Sequence, residues 1–172
     1  MKKSSKKSPK VVHGIKEILE TTAQQISVLL ANSEIAAQLP KSKRLKYNEF
    51  SLVLQFGREF IPAPKPVMIR WGKEKDCYWN ALQVMEKHGL TYCEGFAICD
   101  ASWGTVRHAW CVDDSGSVVD NTWRKPGLAY FGIPFTARFV YKTVGAQGRT
   151  SVLENNATLL TKGFPKKAIK PM

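Results

Sequence analysis

The sequence predicts an α+β fold, with N-terminal helices leading to a further helix packed on an antiparallel sheet. Three observations carry this. Apolar residues recur at helical spacing from Ile15 to Leu30. The stretch between Asp76 and Gly89 has the start and stop residues of an amphipathic helix. Residues 91–99, 106–112 and 117–123 then read as strands, the last two joined by a turn through Asp113, Asp114, Ser115 and Gly116.

In chain order, residues 1–10 are a disordered basic tail. Ile15, Ile18, Leu19, Thr22, Ile26, Leu29 and Leu30 share one side of a helix, with Lys16, Glu17, Glu20, Gln24 and Gln25 between them. That helix runs past Ser33 towards Leu39, and Pro40 stops it. Lys41 to Lys46 is a basic connector. Asn48 caps a short helix with Phe50, Val53, Leu54 and Gly57 along one side, an apolar run that also suits a strand. The segment IPAPKP (61–66) is extended and separates a helical part, 11–60, from a second part, 67–145.

Asp76 is the expected N-cap of the next helix, Tyr78, Ala81, Leu82 and Met85 its inward stripe, and Gly89 its C-terminal stop. Along 91–99, Cys93, Gly95, Ala97 and Cys99 make a face of small residues, and Tyr92, Phe96 and Ile98 a larger one that includes Glu94. Phe135 to Val144 reads as another strand, and a short helix is expected over 151–161. Residues 162–172 complete the chain as a second basic tail, leaving 11–161 as one domain.

The formal charge of +12 suggests nucleic acid until it is located. Five lysines lie in the first ten residues and four in the last eleven, while all 14 acidic residues fall between. The remaining 17 basic residues leave 11–161 at only +3. Tails of this kind bind polyanions weakly and salt-dependently, so weak nucleic-acid contact is expected through them alone. No secretory signal is expected, because His13, Lys16, Glu17 and Glu20 interrupt any apolar core of one. No run reaches the length of a membrane span. Four cysteines without disulfide-framework spacing suit a reduced, cytoplasmic setting.

The chemistry lies between Asp76 and Trp123. Cys77 is the first residue of its helix if Asp76 caps it. Unpaired amides and the positive end of the helix dipole there favour a thiolate, the form that attacks carbonyls. The same amides suit an oxyanion. Asp76, being negative, works mildly against the thiolate. A small buried residue at a helix start is the plainer alternative. His108 shares a strand face with Trp110 and Val112, and Asp120 lies on the partner strand. If paired residue numbers sum to an even value, His108 and Asp120 point to the same side. A three-residue loop at Asp114–Gly116 makes the sum 230 and the two diagonal neighbours, whereas a sum of 229 separates them. The alternatives are a buried structural histidine and a turn aspartate beside Asn121. Zinc on Cys93, Cys99, His108 and Cys111 fits poorly, since no pair has C-x-x-C spacing and His108 and Cys111 face opposite sides. Trp103, Trp110 and Trp123 suit the core, one near His108 also suiting a wall of the site.

A cysteine at a helix start, a strand, HAW, a hairpin turn and VVDNTW together resemble the core of transglutaminase-like, papain-like cysteine enzymes, over about 60 residues from Asp76 to Phe135. The spacing, 31 residues from Cys77 to His108 and 12 more to Asp120, is closer to the transglutaminase-like branch. The pieces CYWNA, YCEGFA, HAW and YFGIPF also resemble small uncharacterised bacterial and phage-borne proteins. Asp76 stands where the family usually has glycine. The resemblance implies a papain/transglutaminase-like core in which Cys77 is the nucleophile, His108 its base and Asp120 the orienting acid. The expected function is thiol-dependent acyl transfer on a peptide or other amide-bearing substrate, with no cofactor, no metal and no membrane. The Cys77 amide is one expected oxyanion donor, with Gln55 and Trp71 as candidates for a second. The alternative is an inert binding module of the same fold acting through its basic tails on nucleic acid or a protein partner.

Overall fold

Helix α1 (Pro9–Ala31) opens the computed structural model, which describes residues 9–32, 38, 40–100, 104–147 and 150–172. Pro9 and Lys10, expected in the tail, belong to this helix; proline suits a first turn, where its missing N–H has no helical partner anyway. Residues 1–8, and the expected extension through 33–37 and 39, lie outside the described residues. Ile15, Leu19 and Ala23 form the buried stripe at a spacing of four, while Ile18 and Leu29 are 48% and 70% exposed. The inward face is therefore narrower than the sequence suggests.

Helix α2 (Glu49–Phe56) has the cap expected of Asn48, whose Oδ1 accepts from Ser51 N at 2.8 Å while Ser51 Oγ accepts from Asn48 N. The Asn48 amide also donates to the Ala23 carbonyl at 3.1 Å, tying α2 to α1. The ambiguous apolar run here is thus helical. A short strand, β1 (Arg58–Phe60), follows without an expectation in the sequence. The 61–66 segment forms neither helix nor strand, apart from one bridge at Ile61.

Helix α3 (Cys77–His88) has the expected bounds. Gly89 ends it in the left-handed conformation, φ 67°, and donates its N–H to the Met85 carbonyl. Asp76 holds the cap position, but its side chain makes no capping bond. Strands β2 (Thr91–Ile98), β3 (Thr105–Val112), β4 (Val118–Val119) and β5 (Ala129–Pro134) join β1 in an antiparallel sheet of order β1-β5-β2-β3-β4, curled into a half-barrel. The fold is therefore α+β. Every residue of the central strand β2 is buried, and its two faces divide as expected: Tyr92, Phe96 and Ile98 join the helix-side core, and Cys93 and Ala97 a second core with Phe60, Trp110 and Tyr130. Gly95 and Gly132 pair across β2 and β5; a Cβ on Gly132 would lie 2.7 Å from the Trp110 ring, so glycine there makes room for the indole.

The strand expected over Phe135 to Val144 is not found. Ala129–Pro134 is the strand, and Ala137–Gln147 is helix α4. Val140 and Thr143 are buried, Phe139 and Val144 half-buried and Tyr141 exposed, the pattern of a helix rather than of a pleat. The expected 151–161 helix shrinks to α5 (Ala157–Lys162), capped by Asn156. Nor is 162–172 a free tail. Phe164 packs on Phe56 and Phe135, Ala168 is buried, Ile169 bridges Phe135, and Lys170 Nζ donates to Thr91 Oγ1 at 2.7 Å. These apolar residues among the lysines hold the segment to the body, leaving Lys162, Lys166 and Lys167 exposed. Among the described residues no helix is long and apolar enough to cross a membrane.

Candidate active site

The start of α3 is clamped between the chain entering it and the chain leaving β4. Asn80, buried one turn after Cys77, donates to the Lys73 carbonyl at 2.7 Å and to Thr122 Oγ1 at 2.9 Å. Its Oδ1 accepts from Lys73 N at 3.1 Å. Gly72 N donates to the Asn121 carbonyl at 2.9 Å, and the Asn121 amide to the Arg70 carbonyl at 3.2 Å. These bonds fix Cys77, itself half-buried, against the segment that carries Asp120.

The hairpin has the even register. Cys111 pairs with Val119 and Val112 with Val118, a sum of 230, which makes Asp120 a diagonal neighbour of His108. His108 Nε2 lies 2.8 Å from Asp120 Oδ2, with both side chains buried. A carboxylate only accepts, so Nε2 carries the proton. Cys77 lies near enough to His108 for its sulfur to favour the imidazolium, and Nδ1 is the ring nitrogen that Asp120 does not engage. The Cys111 thiol donates to the Ala81 carbonyl, so α3 covers the β3 face opposite to that of His108 and Trp110. Thiol and imidazole meet because β4, an edge strand, ends after two residues and lets the chain turn in beside α3.

Asp120 is held by four donors. Its Oδ1 accepts from Thr122 N at 2.8 Å and Trp123 N at 3.4 Å, an Asx turn. Its Oδ2 accepts from His108 and from the Tyr130 hydroxyl at 3.0 Å. The Gly127 N–H in turn donates to Tyr130 Oη at 3.0 Å. Trp123 stacks flat on the imidazole, 3.9 Å between centroids and 6° between planes. Burial pushes the Asp120 carboxyl up, but the His108 bond and charge, the Thr122 amide and Tyr130 together hold it below the ordinary range. For His108, burial works against the imidazolium, yet the bond to Asp120 and the nearby Asp120 and Cys77 groups raise it to about 9. Burial pushes the Cys93 and Cys111 thiols up. Burial, Asp100 and Asp120 do the same at Cys99.

The structure thus brings Cys77 beside the hydrogen-bonded His108–Asp120 pair, an arrangement able to move a proton between sulfur and imidazole. Of the proposed oxyanion donors, Gln55 is exposed on α2, and Trp71 is 43% exposed with its ring engaged by Lys65 and Arg124. Trp123 and Trp110 both lie beside His108; Trp103 lies outside the described residues. Tyr130 and Asn80 are the partners that sequence reasoning missed. An asparagine on the inward side of a helix, where hydrogen bonds must be found, was the signal for Asn80; Tyr130 left none. No protein-family model, curated protein sequence or solved structure matches this chain.

Proposed function

We propose that the chain is a thiol-dependent acyl-transfer enzyme acting on an amide bond, with a core of the transglutaminase-like, papain-like kind. The observation that carries this is His108, hydrogen-bonded to the Asp120 carboxylate and close to the Cys77 thiol. The Cys77 proton passes to His108 Nδ1, and the sulfur adds to the amide carbonyl. The tetrahedral oxyanion lies against the free amides at the start of α3. On collapse the C–N bond breaks, His108 returns its proton to the leaving amine, and a thioester remains on Cys77. Water or a second amine then takes the acyl group, with His108 accepting its proton and returning one to sulfur. Asp120, supported by Tyr130, keeps Nε2 protonated and the ring aimed.

Limited alkylation of the native protein with iodoacetamide near pH 7, read by mass spectrometry at each cysteine, tests this. Cys77 is expected to label first, since burial and nearby acids hold the other three as thiols. Cys77 labelling no faster than Cys99 would turn the reading to an inert binding module of the same fold.

A further inference from the structure

A cleft of about 300 Å³ lies between the loop before α3 and the C-terminal half of that helix. Its floor is apolar, with Ile69 and Val84 buried. Its walls carry three basic side chains, Arg70, Lys87 and His88, all exposed, and no acidic residue lines it. Among the described residues, none of the three has an acidic partner within 4 Å. Trp71 stands on the rim, with Lys65 Nζ 4.6 Å and the Arg124 guanidinium 5.0 Å from its ring centroid. Lys65 also donates to the Pro66 and Ile69 carbonyls, which stiffens the rim. Arg124 is partly balanced by Glu74 at 3.9 Å. Residues 11–161 carry a net charge of only +3, so this gathering of cations is local.

We propose that this cleft holds an acidic stretch of the substrate polypeptide, which rests on the acyl-transfer reading and names its substrate class. Gln83 and Lys87 line the cleft six and ten residues along α3 from Cys77, or roughly 9 and 15 Å at 1.5 Å per residue. An extended peptide covers that in about three to five residues. Carboxylates three to five positions from the amide acted upon therefore meet Arg70 and Lys87, and an apolar neighbour lies on Ile69 and Val84. A polypeptide fits better than a nucleic acid, because the floor is apolar and the Trp71 ring already carries cations rather than an open face for a base.

The test uses the full chain carrying Cys77→Ala, so binding is read apart from thiol chemistry. A fluorescein-labelled peptide of glutamates flanking one leucine is titrated by anisotropy, beside an oligothymidine of equal charge. The expected result is peptide binding weakened about tenfold by Arg70→Glu with Lys87→Glu, as suits reversal of two rim charges, and unchanged by Lys142→Glu on α4. Equal binding by the charge-reversed protein, or tighter binding of oligothymidine than of peptide, would overturn the assignment. A reactive Cys77 with no peptide binding sinks only this inference; peptide binding with an unreactive Cys77 sinks the acyl-transfer reading instead.

Discussion

Two carboxylates in this molecule, Glu94 and Asp120, are buried almost alike, 1% and 5% exposed, and each accepts from four donors. Glu94, in the middle of β2, takes the Tyr92 hydroxyl at 2.6 Å, Ser151 Oγ at 2.7 Å, Val152 N at 2.6 Å and Leu153 N at 3.0 Å. Asp120 takes two amides, a tyrosine hydroxyl and His108. Burial pushes Glu94 up and prevails over its neutral donors. At Asp120 the same penalty is overcome, because one of the four donors can carry a positive charge. Hydrogen bonds alone make a buried acid a fastener, here holding 151–153 to the sheet. An imidazole among them makes it half of a charge-stabilised pair.

The largest expected effect lies on the fastener. Glu94→Ala leaves two amides and two hydroxyls buried without an acceptor, and is expected to lower stability by roughly 3–5 kcal/mol. Urea unfolding measures it, and a loss below about 1 kcal/mol would show that 151–153 is held by other contacts. Asp120→Asn keeps an acceptor for the amides, so it is expected to cost less stability while still impairing Cys77 labelling.

The second effect is a dependence on pH. His108 is raised from 6.5 to about 9, so its contribution to stability is full below pH 6.5 and is lost as pH rises through about 9. The expected loss is on the order of 3 kcal/mol, read from urea midpoints, and it should vanish in His108→Ala. On the acid side the two carboxylates oppose each other. Asp120, lowered, contributes above its ordinary 3.8 and loses this as pH falls through its folded value. Glu94, raised, contributes fully below 4.5 and loses this as pH rises through its own. Replacing each acid in turn should therefore tilt the acid limb in opposite directions.

The smallest effect sharpens the comparison at Tyr130. Tyr130→Phe removes one donor to Asp120 and the acceptor of Gly127 N–H, at an expected cost of about 1 kcal/mol. Labelling of Cys77 near pH 7 should slow a few-fold if the hydroxyl steadies the carboxylate. An unchanged labelling rate would make Tyr130 part of the packing alone.

The Cys77 helix and the His108–Asp120 pairing were legible because both are local. Gly89 marks a helix end, and the turn at Asp114–Gly116 sets an even register two strands long. Tyr130 was not, since it reaches Asp120 through β5, which pairs with β1 and β2 rather than with the hairpin. No spacing in the sequence encodes that order of strands. Glu94 read as the odd member of an apolar face because its donors come from 57 to 59 residues away, apart from Tyr92. The 137–147 helix was hidden by β-branched and aromatic residues whose strand preference gave way to packing. Phe164, Ala168 and Ile169 were masked by the lysines around them.

The most direct test is the rate of Cys77 alkylation by iodoacetamide at pH 7 relative to pH 10, with and without His108. With the imidazole in place the proposed acyl-transfer mechanism predicts a ratio near one, because that mechanism has His108 take the thiol proton. His108→Ala should lower the ratio about 30-fold, the thiolate fraction at pH 7 of a free thiol that titrates near 8.5. The same ratio in both proteins would contradict the account, leaving Cys77 and His108 as neighbours without a shared proton.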